Sequence, residues 1–273
     1  MKSIIKRIVP KALLPSIRKV YKTVFTPVQT QNKQIDSYKQ VGALACTVSY
    51  NKYGAYCVPL SSVHRPAARK ILSNEVYEAE TIEYILSNCG DGDVIHAGTY
   101  FGDFLPALSK GLSENASILA FEPNQESYRC ARITIELNQI SNVSLTNAGL
   151  GSKQEELMIK TIDSNGGALG GASQIISDEA RFNDTMQPIQ IVAVDDIVSP
   201  DRQVSIIQLD VEGHEKQALC GSLMTIKRCL PIIILEVLPE SNLLMSDWFN
   251  SNIIGLGYKK VFDIQGNSIF LCR

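Results

Sequence analysis

The stretch that most constrains the fold runs from Asp93 to Asn124. Val94, Ile95 and Ala97 make a short apolar strand, Gly98 and Gly102 bracket a turn, and Phe104, Leu105, Leu108 and Leu112 then recur at helical spacing. A second apolar strand, Ile118 to Phe121, ends at Glu122, which completes a β-α-β unit. Gly98 can take backbone angles closed to other residues, and Gly102 lets a ligand approach the opening of the helix, where free N–H groups point outward. A carboxylate at the tip of the second strand is placed to accept both hydroxyls of a ribose. The diphosphate fingerprint needs G-x-G-x-x-G, whereas the spacing here is Gly98-x-x-x-Gly102, so a nucleoside without phosphates fits better. A tight turn without a ligand explains the glycine pair as well as a pocket does, and it is Glu122 at its spacing that favours the ligand.

The flanking pattern extends this unit into an α/β sheet. Val41 to Tyr50 and Tyr53 to Leu60 read as a β-hairpin around Asn51-Lys52, and Asn74 to Leu86 as an amphipathic helix with Tyr77 and Glu78 early on it. Beyond Glu122 come a helix to about Asn138, with Tyr128, Ala131, Ile135 and Leu137 facing inward, and a strand, Val143 to Thr146. The loop Asn147 to Gly151 at that strand's carboxyl end belongs beside Gly98 and Glu122. Leu157 to Ile162 reads as a further strand of the sheet or an edge hairpin, and Ile189 to Val194 as β-like. The glycine-rich segment 165–172 reads either as a cover over the site or as a passive surface loop. Val204 to Leu209 is a central strand whose tip carries Asp210, Glu212, His214 and Glu215, groups that are costly there unless solvated, paired or used. One helix through Ala218, Leu219 and Leu223 leads to a strand from Pro231 tipped by Glu236, and Tyr258 to Phe262 pairs with Ser268 to Leu271 as a hairpin.

Composition sets the class. With 273 residues, 45% of them hydrophobic, and a formal charge of -2, the chain has room for a large α/β core and an overall balance that does not point to nucleic acid. Seven cysteines show no C-x-x-C pair and no zinc-ligand spacing with the three histidines, which predicts reduced thiols. No apolar run approaches the ~20 residues of a membrane span and no secretory signal opens the chain, so the expected location is cytoplasmic. Residues 1–33 are basic and interleaved with apolar residues, as in a segment that lies on an anionic membrane surface. Pro10 and Pro15 interrupt any long helix there, which suits a solvated leader docked on the protein better.

On these motifs the chain resembles the FkbM family of S-adenosylmethionine-dependent methyltransferases, from about Val76 to Leu271. The most specific piece is Gln208-Leu-Asp-Val-Glu-Gly-His-Glu215 followed by Leu219 and Gly221; Tyr77-Glu78, Gly98-x-x-x-Gly102, Phe121-Glu122-Pro123-Asn124, Asn147 to Gly151, Val194 to Ile197 and Glu236 support it. The resemblance implies a doubly wound, Rossmann-like sheet of seven mostly parallel strands, the class I methyltransferase fold, with the last strand inserted antiparallel. It implies a domain over residues 74–273 preceded by a leader and hairpin over 1–73. It also implies S-adenosylmethionine held by His96, Gly98, Thr99, Tyr100, Gly102, Glu122, Pro123, Asn124, Asn147, Ala148, Gly149, Asp210 and Glu78, with Glu122 on the ribose. One departure stands out, because the family has an acidic residue where this chain has His96, and a neutral imidazole lacks the charge that favours the cofactor's amino group and sulfonium. Asp103 or Asp210 are candidates to supply it, and His96 also reads as an ordinary buried histidine below the pocket.

The activity the resemblance implies is O-methylation of a sugar, glycan or natural-product hydroxyl. A hydroxyl needs a base, and His214, four residues past Asp210, is the expected one; a packing role at the helix start is its rival, and Asp210, Glu212 and Glu236 are alternative bases. The same carboxylates suit Mg²⁺ in kind, without a dedicated metal spacing. Two other classes compete, a nicotinamide-dependent oxidoreductase and a silent binding module with a degenerate pocket at His96. The single Gly-x-x-x-Gly opposes the first, and the intact Glu122 and Asp210 to Glu215 oppose the second.

Overall fold

The computed structural model of the chain describes residues 43–176 and 184–272, so the expectations for the basic segment 1–33 lie outside the described residues. From Leu44 onward these residues form one compact unit. The expected hairpin is present, with β1 (Cys46–Asn51) and β2 (Gly54–Pro59) antiparallel. A short helix that sequence periodicity did not reveal, α1 (Pro66–Leu72), packs on it. Together they bury Tyr56, Val58, Ala68 and Ile71 against Tyr100, Phe101 and Cys130.

Along the rest of the chain follow α2 (Ala79–Asn88), β3 (Asp93–Ala97), α3 (Leu105–Gly111), β4 (Ile118–Phe121), α4 (Gln125–Leu137), β5 (Val143–Thr146), β6 (Gly149–Leu150), β7 (Glu155–Lys160), β8 (Gln174–Ile176) and β9 (Met186–Val192). They continue with α5 (Val194–Ile197), β10 (Val204–Leu209), α6 (Glu215–Cys220), α7 (Leu223–Cys229), β11 (Ile232–Glu236), α8 (Asp247–Asn252), β12 (Tyr258–Ile264) and β13 (Asn267–Cys272). The main sheet has seven strands in the order β12-β13-β11-β10-β3-β4-β5. Neighbours from β11 to β5 are parallel, while β13 runs antiparallel between β11 and β12. This is the doubly wound sheet with an inserted antiparallel strand that the sequence motifs imply. Its central strands are buried on both faces, which is why they read as continuous runs of Val and Ile rather than alternating patterns.

Four expectations change. The strands at 155–160 and 186–192 are not part of the main sheet; with β6 and β8 they build a second, four-stranded sheet in the order β6-β9-β7-β8. The helix expected through Leu223 is two helices parted at Gly221, where a Cβ would stand 1.9 Å from the Gly151 carbonyl oxygen, so the backbones touch there. On α4 the buried side is Ser127, Cys130, Ala131 and Thr134, while Leu137 is exposed, because the hairpin covers the helix from a different side than the sheet alone would. Tyr77 and Glu78 precede α2 instead of lying on it, and Glu78 takes a left-handed conformation, φ 45°.

All seven cysteines are free thiols. Among the described residues, no helix is long and apolar enough to cross a membrane.

Candidate active site

The site forms where β3, β4, β10 and β11 end along one edge of the sheet. The Asp210 N–H donates to Ala97 O (3.0 Å), which keeps the tips of β3 and β10 joined up to the turn. Gly98 sits there at φ +87°, and a Cβ on it would fall 1.8 Å from the Asp210 carbonyl oxygen. The glycine is therefore demanded twice, by its left-handed angle and by the backbone it faces. Gly102 has another role than the expected one. A Cβ there would meet Leu105, Thr134 and Ala131, and its φ is +81°, so close packing on α4 and a left-handed backbone both favour this glycine.

Glu122 organises the turn. It is 5% exposed, and its Oε2 accepts the Tyr100 N–H (2.7 Å) while its Oε1 accepts the Asn124 N–H (2.8 Å). Tyr100 is held by that bond in a left-handed conformation, φ 51°, and its hydroxyl pairs with Ser62. Such a conformation costs a non-glycine residue about 1–2 kcal/mol, so it persists only where surrounding contacts fix it. Burial pushes the Glu122 carboxyl up to about 8, against the two N–H donors that favour its ionised form.

Two cavities meet at this edge. The smaller, about 400 Å³, has Phe121, Ala148, Leu150 and Ile159 as apolar wall and Glu122 as its buried carboxyl. The larger, about 780 Å³, carries five carboxyl groups, Glu78, Asp103, Asp210, Glu212 and Glu236, with Arg65 as the one cationic side chain in its lining. Gly98, Gly171, Asp210 and Glu212 line both, so the two are halves of one cleft open to solvent. Burial raises every one of these acids: Asp103, Glu78 and Glu212 to about 7, and Asp210 and Glu236 above the usual carboxylate range. Neighbouring like charges add to the rise at Glu78, Asp103, Asp210 and Glu212. Asp210 and Glu236 follow in-register residues at the tips of adjacent parallel strands, and the nearby Glu236 charge adds to burial in raising Asp210. Glu78, Tyr100 and Glu212 all have left-handed backbones and all line the larger cavity, so part of its wall is built from strained backbone.

His96 lies at the floor of the larger cavity. Its Nδ1 bonds the Oε1 of Gln208, the residue beside it in register on β10, and its ring stacks on Phe104 with centroids 5.2 Å apart. Burial holds the imidazole down to about 4, so it is neutral; with Nδ1 donating to Gln208, Nε2 is left as a bare acceptor, buried and without a partner.

Of the expected cofactor residues, the structure brings Glu78, His96, Gly98, Tyr100, Glu122, Pro123, Ala148, Gly149 and Asp210 to the cleft. Thr99, Gly102, Asn124 and Asn147 support it from behind. Thr99 donates to His96 O (3.2 Å), Asn124 caps α4 through Glu126 N and Ser127 N, and Asn147 donates to Glu122 O (2.8 Å). Of the expected bases, Asp210 and Glu236 reach the cavity and His214 lines neither half. A Cβ on Gly151 would lie 3.7 Å from His214 Nε2, which places that buried ring beside the loop following β6. Among the described residues no group of three or more His, Cys, Asp or Glu side chains is arranged to hold a metal ion, so the magnesium expectation finds no site. Of segment 165–172, the end reaches the cleft: Gly170 and Gly171 pack on Tyr100, and Gly171 lines both halves.

Sequence reading passed over Arg65, Gln208 as partner of His96, and Asn267. Asn267 stands opposite Glu236 in register and donates to Glu78 Oε2 (2.8 Å), so the β12–β13 turn fixes one wall of the cavity. Only Gln208 had a signal, a polar residue late in a mostly apolar central strand, directly opposite His96 on β3.

No curated protein matches the chain. Among solved structures it resembles the methyltransferase FkbM of Methylobacillus flagellatus KT, at 16% identity over 67% of this chain with a TM-score of 0.44, and it spans 44% of that protein's length. It also resembles a SAM-dependent methyltransferase of Aquifex aeolicus, at 15% identity over 76% of this chain and 92% of that one, with a TM-score of 0.41. The family model for the methyltransferase FkbM domain matches residues 96–252, more than half of the chain and the whole run from His96 through the acidic strand tips to α8. The chain therefore belongs to the FkbM methyltransferase family.

Proposed function

We propose that this protein transfers a methyl group from S-adenosylmethionine to a hydroxyl of a sugar, glycan or natural-product acceptor. The observation that carries the reading is the joined cleft, in which an apolar half built around Glu122 opens into an acid-walled half through Gly98 and Asp210. The apolar half suits an adenosine, with the free lone pairs of Glu122 available to ribose hydroxyls. The acid-walled half suits the cationic end of the cofactor, since a cation there relieves the mutual repulsion of the carboxyls. The acid missing at His96 is offset by Asp103 and Asp210 in the same cavity, and His96 Nε2 is an acceptor for an N–H donor. When bound, S-adenosylmethionine supplies an electrophilic methyl on its sulfonium.

The chain's own contribution is position and proton transfer. The acceptor hydroxyl has to be aligned with the methyl at about 3 Å, which supplies much of the rate. Glu236 and Asp210 are the base: they stand side by side at the strand tips in this cavity, and burial raises the proton affinity of both, which strengthens a carboxylate as acceptor of a hydroxyl proton. Tyr100, Gly171 and Ala172 line the cleft and limit water on that side.

The test is incubation with methyl-labelled S-adenosylmethionine and a panel of hydroxyl-bearing saccharides, with the product located by mass spectrometry. Alkali-stable label on oxygen, lost about 10²–10⁴-fold in Glu236→Gln, supports the reading. Label on carbon or nitrogen, or full activity in Glu236→Gln, contradicts it.

A further inference from the structure

Arg65 is out of place in its surroundings. It lines a cavity with five carboxyl groups, yet it forms no ion pair with any of them. Its hydrogen bond is one long contact from Nη2 to Ala168 O (3.5 Å), and its Nε is buried with no partner. Of the five carboxyls, Glu78 is already engaged, accepting from Asn267 Nδ2 (2.8 Å). Arg65 lines the cavity and its charge favours the ionised forms of Tyr100 and Glu212, which line it too.

A guanidinium with a free Nε edge presents two parallel N–H donors, the fork that matches a carboxylate. On the strand-tip side the same cavity gathers the carboxyls of Asp210, Glu212 and Glu236 and the bare His96 Nε2, with Glu78 and Asp103 in the same lining. The cavity is therefore dipolar. It fits a ligand with cationic groups toward the strand tips and one carboxylate toward the segment before α1.

We infer that Arg65 anchors the α-carboxylate of the cofactor's amino-acid end, an assignment that rests on the S-adenosylmethionine reading above. A carboxylate on the methyl acceptor is the other source of the same chemistry, and the experiment separates the two. The probes are S-adenosylhomocysteine, which carries the amino-acid end, and 5′-methylthioadenosine, which lacks it. Each is titrated calorimetrically into the wild type, Arg65→Gln and Arg65→Lys, with melting temperatures recorded to verify folding.

The expected result is a loss of about 10- to 100-fold in S-adenosylhomocysteine affinity for Arg65→Gln, as for removal of a charge-assisted hydrogen-bonded pair, with a smaller loss for Arg65→Lys. Affinity for 5′-methylthioadenosine should stay within about threefold, a spread too small for one lost hydrogen bond. Unchanged S-adenosylhomocysteine binding in Arg65→Gln assigns the guanidinium to the acceptor and overturns the inference. Equal loss for both probes makes Arg65 a structural wall residue and also overturns it. Absence of binding of either probe by the wild type defeats the S-adenosylmethionine reading itself, and this assignment with it.

Discussion

Removing the Glu122 side chain should damage the protein before any ligand is added. In Glu122→Ala the Tyr100 N–H and the Asn124 N–H, bonded at 2.7 Å and 2.8 Å in a residue only 5% exposed, lose their acceptor together. A buried donor left unpaired costs about 1–3 kcal/mol, which gives about 2–6 kcal/mol for the two. Part of this is recovered as the turn relaxes, because Tyr100 at φ 51° is then free to leave a conformation that costs about 1–2 kcal/mol. The net expectation is about 1–4 kcal/mol, reaching at its upper end the range of deeply disruptive substitutions. Glu122→Gln keeps one acceptor oxygen and turns an NH₂ toward the other donor, so it should lose about 1–3 kcal/mol. Urea unfolding of the unliganded protein, followed through the single tryptophan, Trp248, at the edge of the main core, measures both. If Glu122→Ala unfolds within about 0.5 kcal/mol of the wild type, the carboxylate does not hold the turn and the argument is wrong.

Other outcomes follow from the same geometry. Gly98→Ala should fold poorly or lose S-adenosylhomocysteine binding, since its Cβ would lie 1.8 Å from the Asp210 carbonyl and force β3 and β10 apart at the site; wild-type affinity would refute the close-packed tip. His214→Ala should keep S-adenosylhomocysteine affinity within about threefold, less than one lost hydrogen bond would cost, because the ring lines neither half of the cleft. The unliganded protein should lose stability as pH rises from about 4.5 to about 8. Glu78, Asp103 and Glu212 near 7 and Glu122 near 8 keep protons in the folded state that the unfolded chain has already released. Thermal melts across that range check the slope, and a midpoint that rises with pH would contradict it. Binding of a cationic ligand should release protons over the same window, visible as a buffer-dependent calorimetric enthalpy.

The main sheet was readable because its strands are buried on both faces and therefore appear as runs such as Val204 to Leu209, each closed by a polar tip. Glu122 and Asp210 were readable for the same reason, as carboxylates at the ends of apolar runs. What escaped depends on tertiary contact. Gly102 looks like a ligand glycine in sequence, but its neighbours are Leu105, Ala131 and Thr134. Leu137 carries an apolar side chain to the surface while Cys130 and Thr134 go inside, because the hairpin packs where no local pattern announces it. Tyr77 and Glu78 reach the cavity through a left-handed bend at a residue with no preference for one, and nothing in the order Arg65-Pro66 shows that Arg65 lines the same cavity. His214 shows the limit of arguing from proximity in sequence: four residues past Asp210, the side chain already lies beside the loop following β6.

The most direct test of the account is a calorimetric titration of the full chain with S-adenosylhomocysteine. The account predicts saturable binding of one molecule per chain, abolished or strongly weakened in Glu122→Ala and Gly98→Ala and retained in His214→Ala. No binding by the wild type, or binding that Glu122→Ala and Gly98→Ala leave intact, would contradict the claim that the cleft at the strand tips is a cofactor site.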